Sequence, residues 1–82
     1  METIIDFQRY RSEGQLFWNW NVLGDDTRGA NGFDSLEDAV EAFFDDEGHE
    51  DVILAFGVAF PDGYGPLQGL TDDVYRIIKT EE

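Results

Sequence analysis

Nineteen carboxylates against five basic side chains dominate the chemistry available to this 82-residue chain, whose formal charge is −14. Carboxylates can ligate a cation, work as an acid–base pair, or meet cations on another macromolecule, and their spacing separates these uses. The densest run, Asp45-Asp46-Glu47-Gly48-His49-Glu50-Asp51, offers oxygen ligands. It does not follow the calcium-loop pattern, in which acids alternate before a glycine and a distant glutamate closes the site. With one histidine and no cysteine, a zinc site lacks its ligands. Glycosidase-type work needs two carboxyls across a cleft, which a domain of this size with one helix can hardly build. Ser12 and Ser35 are accounted for by a turn and a helix cap, and His49 has no matching nucleophile. The expectation is therefore no enzyme, no cofactor and no metal.

What remains is docking, and the acids are distributed unevenly enough to suggest it. Between Arg28 and Arg76 there is no Lys or Arg, while twelve acids fall in that span. Glu37, Asp38, Glu41 and Asp45 stack along one side of a helix by i, i+4 spacing. Like charges so placed repel, and Asp45, Asp46 and Glu47 sit in the last turn, where the helix dipole disfavours acids by about 0.3–1 kcal/mol each. Along the axis the carboxylates from Glu37 to Asp46 come about every 3 Å, near the phosphate spacing of one DNA strand. Such a run is ordinarily just a solvated helix face, and a salt-adapted chain would also favour Asp over Lys. Salt-adapted chains trim large apolar residues, however, and this one keeps seven Phe and two Trp. The candidate partner-binding residues are thus Glu37, Asp38, Glu41, Asp45, Asp46, Glu47, Glu50 and Asp51. Tyr64, in a Gly/Pro-flanked loop, joins them as a candidate exposed aromatic anchor, the alternative being that it folds back over a sheet edge.

The elements that must carry these residues are legible from periodicity. Thr3–Tyr10 alternates as a strand, Ser12-Glu13-Gly14 turns, and Gln15–Leu23 returns with Leu16, Trp18, Trp20 and Val22 on one face. The two tryptophans read as core on that pattern. Phe17 and Leu23, on the other face, call for cover by the helix or by a partner. Gly24–Gly32 reads as loop with a short strand near Thr27–Ala30. Leu36, Ala39, Val40, Phe43 and Phe44 form one apolar helical stripe, capped by Asp34 or Ser35 and ended by Gly48. Val52–Phe60 alternates bulky with small residues as a strand, a turn cluster opens a longer connection through Gly69, and Asp73–Thr80 closes as the last strand. The expected fold is a single α+β domain over residues 1–82. It has a twisted antiparallel sheet of about four strands and one amphipathic helix on one face, in the order β-β-α-β-β.

Composition sets the remaining expectations. The apolar fraction of 41% supports one core, and the lack of cysteine makes an intracellular, cytoplasmic setting the default. The start has neither a basic region nor an apolar run of signal-peptide type, and no segment approaches membrane-spanning length. Such a charge repels nucleic acid and anionic membranes and attracts the proteins that bind them.

In size, charge, lack of cysteine, and a hairpin followed by Gly29-Ala30-Asn31-Gly32-Phe33-Asp34-Ser35 leading into the helix, the chain resembles the small acidic anti-CRISPR and anti-restriction proteins of phages and mobile elements. The resemblance implies a stoichiometric inhibitor in the host cytoplasm. Its target would be the basic nucleic-acid-binding surface of a host defence nuclease or an RNA-guided interference complex, blocked in competition with DNA or RNA. Two other readings fit the same charge. An immunity protein would neutralise a basic nuclease toxin and would be encoded beside it. A domain from a salt-adapted organism would unfold as salt is lowered. Monomer and homodimer are equally compatible with the sequence.

Overall fold

The computed structural model describes residues 2–49, 60 and 63–80. Among these residues five strands and one helix follow in the order β1 (Glu2–Ser12), β2 (Gln15–Val22), β3 (Asp25–Phe33), α1 (Leu36–Asp46), β4 (Gln68–Thr71) and β5 (Val74–Thr80). The strands form one open antiparallel sheet in the order β3-β2-β1-β5-β4, so the first strand in sequence is the central one in space. The chain is α+β, as expected, and among the described residues it has one helix and a sheet of five strands where about four were anticipated. The anticipated strand over Val52–Phe60 lies, apart from Phe60, outside the described residues.

The β1–β2 hairpin closes through Glu13 and Gly14, both at positive φ (52° and 80°). That is the geometry of a two-residue turn whose twist matches the strands, so Ser12 pairs directly with Gln15. From there the register runs unbroken, and each strand residue has a fixed side. Val22, Ile5 and Ile77 form one row beneath the helix, and Trp20, Phe7 and Tyr75 form the next. The helix lays Leu36, Ala39, Val40, Phe43 and Phe44 on these rows, all five buried. Phe43 meets Phe7 and Trp20 edge-on at ring-centroid distances of 6.2 and 5.4 Å. Trp20 is core, Trp18 packs half-buried against it, and Leu16, at the hairpin tip, stays exposed.

Both helix ends are built from local sequence. Ser35 Oγ accepts from the Asp38 N–H at 3.1 Å, settling the cap on Ser35. At the other end the His49 N–H donates to Phe44 O (2.8 Å) and the Gly48 N–H to Asp45 O (3.1 Å). This closing motif needs the left-handed conformation of Gly48 (φ 88°). The His49 ring then covers Phe44 at 6.3 Å, the apolar contact that accompanies the motif.

Two elements are longer or newer than the sequence suggested. β3 extends over nine residues, although its ladder to β2 shifts register twice. β4, whose first two residues fall in the expected connection, pairs with β5, Gly69 lying under the Tyr75 ring, where an added Cβ would come within 3.1 Å of Tyr75 Cε2. Just before β4, Gly63 and Gly65 continue that edge by hydrogen bonds with Thr80 and Ile78 (2.7 and 2.8 Å). Among the described residues no helix is long and apolar enough to cross a membrane.

Candidate functional site

The apolar stripe of α1 fixes where its other side chains point. At about 100° per residue, Glu37, Asp38, Glu41 and Asp45 fall within one arc of roughly 100° on the side away from the sheet. All four are exposed, and none forms a salt bridge to a described residue. From Glu37 to Asp45 they cover about 12 Å of helix axis. The first two also sit in the first turn, where the dipole favours them, while Asp45 stands in the last turn, where it does not.

Asp46 does not belong to this face. It lies about 100° further round, at the border with the buried stripe, and points toward β3. There the Arg28 guanidinium donates to Asp46 Oδ2 (2.6 Å) and to Glu47 Oε1 (3.0 Å). The expectation that Asp46 and Glu47 extend an unneutralised surface is therefore corrected: Arg28 clamps both and ties the edge strand to the helix C-terminus. Those two carboxylates hold the Arg28 guanidinium above its ordinary range, Asp46 contributing most. Glu50 and Asp51 lie outside the described residues.

Tyr64 takes the second of its two anticipated positions. It bridges to Lys79 on the edge of β5 and is half-buried, its ring packed on Phe43 (6.1 Å), Phe44 (5.1 Å) and His49 (5.7 Å). Lys79 Nζ lies 5.3 Å from the ring centroid. Burial pushes the phenol up from its ordinary value, with the Glu47 charge adding to the effect. As an exposed anchor it is not available; as a prop under the helix C-terminus it is.

Two more basic side chains are committed elsewhere. Arg9 pairs with Asp73 beside the β4–β5 turn, and Arg76 donates from Nε to Asp6 Oδ1 at 2.9 Å. Asp6 is 5% exposed although it lies on the sheet face away from the helix, a pairing that sequence alternation could place but not match. Along β2 and β3 there is a depression of about 530 Å³ lined by Asn19, Asn21, Asp25, Thr27 and Asn31 among others. Of its two acids, Asp25 and Asp26, the first is occupied locally, since the Thr27 hydroxyl and N–H both donate to Asp25 and hold its carboxyl below the usual range. Among the described residues no three of His, Asp and Glu gather closely enough to hold a metal ion.

No protein-family model matches the chain, and neither a curated protein sequence nor a solved structure is significantly similar to it.

Proposed function

We propose that the chain is a stoichiometric acidic inhibitor whose helix occupies a basic nucleic-acid-binding surface on a host defence nuclease or RNA-guided interference complex. The observation that carries the reading is the outer face of α1, where Glu37, Asp38, Glu41 and Asp45 stand exposed and without a basic partner among the described residues. Among the described residues Arg9, Arg28 and Arg76 form ion pairs with other acids. Four like charges on a rigid helix present a preformed target for Arg and Lys side chains that otherwise grip phosphates. Their field also speeds encounter with a cationic groove. Inhibition follows by competition, because the same cations cannot hold DNA or RNA and the helix at once.

The test uses the triple variant Glu37→Lys, Glu41→Lys, Asp45→Lys; Asp46 is left native because it is held by Arg28. Wild type and variant are titrated into DNA-binding and cleavage assays of a panel of RNA-guided effectors and restriction nucleases. The expected result is inhibition of at least one by wild type, weakening as salt rises, and loss of that inhibition in a folded variant. Equal potency of the two proteins would remove the helix face from the mechanism. Inhibition of none, with tight binding to a nuclease toxin instead, would favour the immunity reading.

A further inference from the structure

The second surface of interest is the sheet face turned away from the helix. The unbroken β1 registers place four rows there: Leu23–Ile4–Ile78, Asn21–Asp6–Arg76, Asn19–Gln8–Val74 and Phe17–Tyr10. Tyr10 lies against Phe17 at 6.0 Å, and its hydroxyl accepts from the Gly32 N–H at 3.0 Å, so the aromatic row is held in place. On β1, β2 and β5 this face carries three formal charges, Glu2 at its rim and the mutually paired Asp6 and Arg76. In a chain of −14 it is close to neutral. Such a mixture of aromatic, aliphatic and amide groups with few net charges is the composition of protein interfaces.

We infer that this face docks a second copy of the same chain, sheet against sheet, about a two-fold axis running parallel to the strands between β1 and β5. The rows are self-complementary under that rotation. It exchanges β1 with β5 while keeping each row level, so Ile4 of one copy meets Ile78 of the other. Asp6 of each copy meets Arg76 of its mate, turning two ion pairs into a closed ring of four alternating charges. Val74 covers Gln8, and the aromatic rows flank each other. Area is adequate: five strands about 4.8 Å apart, from eleven residues at β1 to four at β4 and about 25 Å long on average, give a planar face near 600 Å², whose corrugated accessible surface approaches the roughly 800 Å² per partner of a stable interface.

Self-repulsion is the objection to pairing two copies of a polyanion, and the geometry answers it. Stacked sheets lie about 10 Å apart, and each helix adds a further layer about 10 Å thick on the outside. The two acidic helix faces are then about 30 Å apart, several screening lengths at physiological salt. They also point in opposite directions, leaving both available. This inference does not depend on the partner proposed for the helix.

Sedimentation equilibrium of the full chain tests it, at about 0.15 M and about 0.5 M NaCl, where residual repulsion is increasingly screened. The expected result is a dimer that tightens with salt, opposite in sign to binding of a basic partner. Phe17→Lys and Val74→Lys each make the chain less anionic, so simple repulsion predicts tighter association. Loss of contact predicts dimerisation weakened by about tenfold or more. Asp34→Asn changes charge by the same amount away from the face and is expected to leave the dimer intact. Far-UV circular dichroism checks that each variant is folded. A wild type that stays monomeric at about 0.5 mM in the higher salt overturns the inference, as does a dimer unaffected by both folded lysine variants.

Discussion

At the scale of single residues, Asp6 and Arg76 form a part-buried contact between the two ends of the chain, an exchange between residues 70 positions apart. Asp6 is almost fully enclosed and Arg76 partly so, so removing the cation leaves a carboxylate that cannot recover its water. Arg76→Ala is expected to lower unfolding free energy by about 2 kcal/mol in urea titration, whereas Arg9→Ala, whose partner Asp73 is largely exposed, costs about 0.5 kcal/mol or less. Tyr64 gives a pH signature. Unfolded, the phenol ionises near 10.0; in the fold burial raises it, so the neutral form is the one the structure accommodates. Its contribution is therefore complete below pH 10 and lost as pH rises through the higher folded value. Thermal melts of wild type should drop as pH rises above about 10, and Tyr64→Phe should flatten that part of the drop.

At the scale of elements, the helix trades stability against charge. Its stripe, its Ser35 cap and its Gly48 terminus all follow from residue type and spacing, because the interactions that define them span four residues or fewer. Against these, Asp45 repels Glu41 one turn earlier and opposes the dipole in the last turn. Asp45→Lys is expected to raise unfolding free energy by about 0.5–1 kcal/mol in denaturant titration while weakening inhibition. If stability falls instead, the carboxylate has a structural use and the docking reading loses its main support. The edge strands are the contrasting case. Nothing in Asp25-Asp26-Thr27-Arg28-Gly29-Ala30-Asn31-Gly32-Phe33 alternates cleanly, so turn chemistry dominates its reading. It becomes a strand because β2 offers an open ladder and because the Arg28 clamp pins it to the helix. Four residues of β4, one of them glycine, are likewise too few to show periodicity; β5 recruits them.

At the scale of the whole molecule, charge and layers decide behaviour. The net charge of −14 destabilises the compact state, and salt relieves it. The buried Phe43, Phe44, Phe7 and Trp20 cluster is nonetheless a full-sized aromatic core, unlike the trimmed cores of salt-dependent proteins. The chain is expected to remain folded at about 20 mM NaCl, with a urea midpoint that rises modestly toward about 0.5 M. Unfolding at the lower salt would favour the salt-adapted reading over an inhibitory one.

By itself the sequence determined the β-hairpin, the helix with its buried stripe and outward acids, and the last strand, because each carries its periodicity within its own residues. Only tertiary structure decided that β1 is central, that Arg28 removes Asp46 and Glu47 from the acidic surface, and that Tyr64 folds under the helix. Those outcomes depend on which distant segments meet, and pairing across tens of residues leaves no periodic trace in the residues that pair.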